Sequence, residues 1–205
     1  MPSKAYTNLE ERLKEIDQLV DAHTALTKFQ RAEKQAKSAG SGLQSALKLI
    51  TTLVSDSAGG RPSQVHALNS SAIALLSAHF QGYVAELFDE AVEHLLKGRV
   101  VDVECVKSSA PRRGNPNAEN ISKLFETVGF PAVMDAITWK NMSNDRMKSK
   151  LKQLNILRTK LVHGSRERVV KAKVTAYTTF VRSLVAELDH AVGSQIASVT
   201  RKQPW

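Results

Sequence analysis

The chain predicts an all-α fold, an antiparallel helical bundle with an N-terminal helical extension. Three observations lead there. Apolar residues recur at three- and four-residue steps along most of the sequence, the Gly- and Pro-rich stretches "SDSAGGRPS" and "SAPRRGNPN" separate those runs, and strand-like composition is confined to one short segment. With 205 residues, 42% of them hydrophobic, the chain is large enough to bury one substantial core.

The elements follow in order. "NLEERLKEIDQLVDAHTALTKFQRAEKQAKSAG" carries Leu9, Leu13, Ile16, Leu19, Val20 and Leu26 on helical spacing, with acids early, bases late and Gly40 as its stop. A second helix is predicted over 43–54, after which "SDSAGGRPS" breaks the chain. The Gly pair there is no phosphate loop, because no Gly-Lys-Ser/Thr follows and no strand precedes it. A third helix over 64–97 is apolar on most sides of its middle, "SSAIALLSAHFQGYVAELFDEAVEHLL", and is therefore central; Gly98 ends it. Residues 99–117, "RVVDVECVKSSAPRRGNPN", form a long irregular connection that contains the strand-like run. Short helices are predicted over 118–128 and 131–137, and longer ones over 144–163 and 166–194. The expected organisation is an N-terminal helical arm or hairpin over 1–62, a bundle over 63–198 and a basic tail over 199–205. The helices over 64–97, 144–163 and 166–194 are expected to form the core, and the first two to pack outside it or reach a partner.

Composition removes several classes of function. The longest apolar stretch, around 70–96, is interrupted by His79, Gln81, Glu86, Asp89, Glu90 and Glu93 and cannot supply the run of about 20 apolar residues that a bilayer demands. The opening "MPSKAYTNLEERLKEID" has no apolar core of a signal peptide. Cys105, the single cysteine, excludes an internal disulfide and a thiolate cluster. The expectation is a soluble, cytoplasmic protein with no membrane partner. No metal or other cofactor is expected either: "EAVEH" sets Glu90 and His94 four apart with no second copy, and His-Glu-x-x-His is absent. His23, His66, His94 and His190 stand among charged or small residues and read as surface, while His79 beside Phe80 reads as a core or interface residue.

Charge is concentrated. Residues 146–173 hold ten bases (Arg146, Lys148, Lys150, Lys152, Arg158, Lys160, Arg166, Arg168, Lys171 and Lys173) against Glu167 alone, so the formal +9 of the whole chain resides there. A basic excess focused on one segment is the footprint of a phosphate-backbone partner as well as of a solvated helix face. Within it lies "LNILRTKLVHGSRER". Met147, Leu151, Leu154, Leu157 and Leu161 make the buried stripe of its helix, and Arg158 follows that stripe by one position. His163 is five residues beyond Arg158, turned by roughly 140° around the helix axis, and Gly164 marks the helix end. The two side chains diverge within one chain, whereas two copies of the helix about a two-fold axis would bring Arg158 and His163 to one cleft.

The motif "RTKLVH" followed by "GS", the upstream "NAENISKLFETVGF", the segment "AHFQGYVAELFDEA" and the final "YTTFVRSLVAELDHAV" together resemble the HEPN superfamily, in its RiboL-PSP-HEPN branch, over about 70–194. The resemblance implies a helical bundle of HEPN type and a metal-independent endoribonuclease of toxin or defence-like character. It implies a homodimer that cuts single-stranded RNA through attack of the 2′-hydroxyl on the adjacent phosphate, and a protein antitoxin or defence-system partner. Arg158 and His163 take the catalytic positions, while Thr159 and Gln81 line the same cleft. Active members usually carry Asn, Asp or His where Thr159 stands, and many carry Glu in place of Gln81. Those departures keep a second reading open, a catalytically inactive HEPN-type module that binds RNA or a protein partner. Lys152, Lys160, Arg166, Arg168 and Lys171 are the expected RNA-binding cations of the basic segment.

Overall fold

The computed structural model describes residues 1–38, 62–100, 102–111, 115–164 and 167–205, with side chains described from 1–32 and from 66 onward in the first two of these segments. The helix expected over 43–54 and the break after it lie outside the described residues. Six helices are present among those described: α1 Lys4–Ser38, α2 Pro62–Leu96, α3 Val103–Ser109, α4 Ala118–Glu126, α5 Asn144–Val162 and α6 Lys171–Thr200. The all-α expectation holds.

Side-chain contacts give the helix directions. Asn8 donates to Glu86 at 3.0 Å and His79 meets Glu15 at 3.2 Å, so α1 runs antiparallel to α2. Ser3 bonds Asp189, Arg182 bonds Asp17 and Lys171 bonds Thr24, so α1 is antiparallel to α6 as well. α2 and α6 are therefore parallel to each other, with Tyr83 Oη donating to the Val185 carbonyl between them at 3.2 Å. α5 returns antiparallel to α6 through a short connection, and Lys150 Nζ lies 5.0 Å from the centre of the Phe180 ring.

One buried cluster runs from Ala5 to Ile196. Its presence in α1 differs from the expectation that the first helices pack outside the core: Ala5, Leu9, Leu13 and Ile16 are buried together with Ile73, Phe80, Tyr83, Leu87, Val181, Leu184 and Leu188. Periodicity shows that a helix has an apolar stripe but not which neighbours cover it. Gly82 marks the crossing, since a Cβ there would meet Arg12 Nη1 at 3.1 Å.

The start of α1 is tied to both long partners. Ser3 Oγ accepts from the Tyr6 N–H, and the Glu90 carboxylate of α2 accepts from the Lys4 and Ala5 N–H groups at 3.0 and 3.1 Å. The orphan donors of the first turn are thereby satisfied, with negative charge at the positive end of the helix. Ser3 in turn donates through both its N–H and its hydroxyl to buried Asp189 of α6. Burial pushes the Asp189 carboxyl above the usual range for an aspartate, against the opposing effect of the Ser3 bonds.

Other boundaries depart from the spacing. In the strand-like run, Asp102 accepts from the Glu104 and Cys105 N–H groups and starts α3 instead. Residues 131–137 are not helical: Ala132 takes φ 57°, a left-handed conformation that interrupts a helix, and the Asp135 N–H closes a turn onto the Ala132 carbonyl. α6 starts at Lys171, five residues later than expected, and continues through Gly193 to Thr200, past the expected end. At Gly193, inside the helix, a Cβ would meet Trp205 Nε1 at 3.1 Å, so the absent side chain leaves room for the Trp205 ring. The last residues thus fold back onto α6.

Two outcomes test this architecture. Leu13→Ala should lower stability by about 2–5 kcal/mol in urea unfolding, as for a large core side chain; a peripheral arm would give no change. Asp189 has its folded-state pKa raised, so its contribution is present in acid and lost as pH rises through that raised value. Asp189→Asn should therefore gain in melting temperature relative to the parent as pH is raised from about 4 towards neutrality.

Candidate functional site

The basic helix end is assembled from three local devices. Ser143 caps α5 by accepting from the Arg146 N–H at 3.5 Å, and Asn144 Nδ2 donates to the carbonyls of Met134 and Ile137 at 2.7 and 3.0 Å, fixing the helix start against the preceding turns. Met147, Leu151, Leu154 and Leu157 bury the inner face. At the other end the His163 N–H bonds the Thr159 carbonyl at 3.1 Å, and Gly164 takes φ +78°, the left-handed conformation that ends helices. His163 is the exposed cap residue of α5.

Arg158 is half-buried and faces the segment before α4. Its Nη1 donates to Asn115 Oδ1 at 3.0 Å, and Asn115 Nδ2 points to Thr159 Oγ1 at 3.3 Å. Asn115 is itself held: its carbonyl accepts from Asn120 Nδ2 at 2.9 Å, while Asn117 caps α4 through the Asn120 N–H at 2.7 Å. One turn earlier, buried Asn155 donates to the Pro116 carbonyl at 3.3 Å, and its Oδ1 has no hydrogen-bond partner. The polar edge Asn155, Arg158, Thr159 of α5 is thus clamped by residues 115–117. Sequence reading did not single out Asn115. The signal that was present is the pair of asparagines flanking Pro116 immediately before a helix start, a pattern suited to capping.

The structure joins Arg158 and Thr159 through Asn115. It does not join Arg158 to His163 within the chain; the two side chains leave the helix about 140° apart. Gln81 is exposed on α2 and makes no hydrogen bond among the described residues. Arg166 lies outside the described residues.

The remaining cations divide into two groups. Lys160 and Lys173 both pair with Glu167 at 3.3 Å, and Lys173, then Lys160, hold that carboxyl below the usual range. Lys148 pairs with Asp135 at 2.5 Å. Lys152 is exposed with no carboxylate partner among the described residues. Arg168 Nε donates to His66 Nε2 and Lys171 Nζ to Thr24 Oγ1, both at 2.6 Å. Much of the formal charge excess is therefore unneutralised on Lys152, Arg158, Arg168 and Lys171. Three apolar side chains near them, Ile156, Val162 and Val170, are 46, 57 and 52% exposed.

Among the described residues no three His, Cys, Asp or Glu side chains are grouped to hold a metal ion, and no helix is long and apolar enough to cross a membrane. Comparison with known protein families, curated proteins and solved structures finds no match to this chain.

The Asn115 clamp has a measurable consequence. Asn115→Ala removes the acceptor of Arg158 and the donor to Thr159 and should cost about 1 kcal/mol in urea unfolding, with helix content unchanged by circular dichroism.

Proposed function

We propose that the chain is a metal-independent endoribonuclease of HEPN type, of toxin or defence-like character, cutting single-stranded RNA in a composite site of two copies. The observation that carries this reading is the arrangement at the end of α5. A guanidinium is held half-buried by Asn115, an exposed histidine stands at the helix cap, and Lys152 on the same helix is exposed without a carboxylate partner among the described residues.

The chemistry fits those groups. With Nη1 committed to Asn115, the Nη2 and Nε edge of Arg158 is left to face two phosphate oxygens, the bidentate geometry that best neutralises a developing phosphorane. The His163 imidazole is a group that can accept or donate a proton. The 2′-oxygen forms its bond to phosphorus as its proton leaves, the bond to the 5′-oxygen breaks, and that oxygen takes a proton; the products are a 2′,3′-cyclic phosphate and a 5′-hydroxyl. The divergence of Arg158 and His163 calls for a second copy. Ile156 lies on the His163 face of α5 and Val162 on the Arg158 face, so apolar surface flanks both groups where two copies would meet.

The protein should cleave unstructured RNA in EDTA and leave DNA of the same sequence intact, because DNA lacks the attacking hydroxyl. His163→Ala and Arg158→Ala should each reduce the rate about 10²-fold or more. Lys152→Ala should weaken RNA binding in a salt-dependent manner with turnover retained at saturation. Cleavage that needs Mg²⁺, or survives His163→Ala, would overturn the mechanism. RNA binding without cleavage by the parent protein would establish the inactive binding module in its place.

A further inference from the structure

We infer that His23, His66, Arg168 and Lys171 form a phosphate-binding subsite where α1, α2 and α6 meet, occupied by a backbone phosphate of the bound single strand. The identity of that occupant rests on the ribonuclease reading; the subsite itself rests on the following geometry.

Four side chains from separate parts of the chain converge. Lys171, at the start of α6, reaches Thr24 of α1 at 2.6 Å, beside His23 in sequence. Arg168, in the connection before α6, reaches His66 of α2 at 2.6 Å. The connection is pinned in place by buried Asn69 of α2, whose Nδ2 donates to the Val169 carbonyl at 2.9 Å. The site is thus built by tertiary packing rather than by one exposed helix face.

None of the four has a carboxylate partner among the described residues. This sets the cluster apart from the other cations that α1 and α6 bring together, where Arg12 meets Glu86, Arg182 meets Glu10 and Asp17, and Lys173 meets Glu167. Glu167, one residue from Arg168, is committed to Lys160 and Lys173. The histidines do not supply the missing negative charge. A guanidinium has no lone pair, so His66 must accept at Nε2, and the Nδ1 atoms of both His66 and His23 are buried without a hydrogen-bond partner. Burial, and after it the charge of Lys171, holds the His23 imidazole below its ordinary range. The N-terminal ends of α2 and α6 point to the same pole and add the same sign.

An oxyanion with several acceptor atoms supplies what the cluster lacks. It can accept from the remaining N–H groups of Arg168 and from the ammonium of Lys171 while shielding the two cations from each other. A phosphodiester strand is favoured as the source because the connection that carries Arg168 begins at His163, so a strand engaged at the end of α5 passes this pole. The two histidines that sequence context assigns to plain surface then mark the path of the strand across α1 and α2.

The test follows the histidine ring resonances of the full chain by NMR during titration with inorganic phosphate and, separately, with a single-stranded thymidine hexamer that the proposed reaction cannot cut. The His23 and His66 rings should shift saturably, and more tightly with the hexamer. His190, about 28 Å further along α6, and His94, about 42 Å further along α2, should stay unmoved. Arg168→Gln and Lys171→Gln should each weaken hexamer binding about tenfold, the scale of one charge-assisted hydrogen bond, and His23→Gln should leave the fold intact by circular dichroism while weakening it less. Silent His23 and His66 rings, or unchanged affinity in both glutamine variants, would overturn the subsite. Saturation by phosphate with no response to the hexamer would assign it to a small phosphate ligand, and a response to hexaglutamate alone to an acidic protein segment; either result overturns the strand assignment. Because the hexamer is never cleaved, a failed cleavage assay with intact hexamer binding removes the nuclease mechanism and leaves this subsite standing.

Discussion

The seating of α1 across α2 and α6 is the constraint on which the rest of the architecture depends. α2 and α6 are parallel, so their macrodipoles are aligned rather than compensating. An antiparallel α1 that buries Ala5, Leu9, Leu13 and Ile16 against both offsets that alignment and closes the core. Parallel long helices also require that their like ends share a pole. The N-terminal ends of α2 and α6, the middle of α1 and the C-terminal end of α5 consequently arrive together.

The two poles of the bundle bring different side chains together for the same reason. Where α1 begins, carboxylates answer backbone donors: Glu90 covers its first N–H groups, and Asp189 holds Ser3. Buried Tyr83 lies in the same region, and burial followed by the Asp189 charge pushes its phenol well above the ordinary tyrosine range. At the opposite pole the side chains are His23, His66, Arg168, Lys171 and, at the end of α5, Arg158 and His163, with Glu167 the acid that draws off Lys160 and Lys173.

How much was legible can be followed residue by residue. The four long described stretches with helical spacing are helices, and Gly98 and Gly164 take the positive φ expected of residues just past helix ends. Residues 131–137 are not helical: the backbone turns at Ala132 while Phe130, Val133, Met134 and Ile137 all enter the core, and a short apolar pattern does not reveal that turn. The α6 boundary shifted because Val169 is buried in an extended connection and Gly193 is accommodated inside the helix by Trp205. Arg158 was visible as the residue after an apolar stripe, whereas Asn115, 43 residues earlier, was not, since nothing local distinguishes a capping asparagine from a clamp on a distant arginine.

The amino-acid sequence by itself determined the helical class, the concentration of positive charge in 146–173, and the placement of Arg158 and His163 about 140° apart at the end of one helix, because each follows from composition or from a fixed helical period. The tertiary structure alone decided that α1 enters the core and that Glu167 neutralises two of the cations. It likewise decided that Asn115 holds Arg158 and that His23 and His66 meet Arg168 and Lys171. These are contacts between residues up to 186 positions apart. They arise from which apolar stripes cover one another, and a one-dimensional pattern of spacing does not encode that choice.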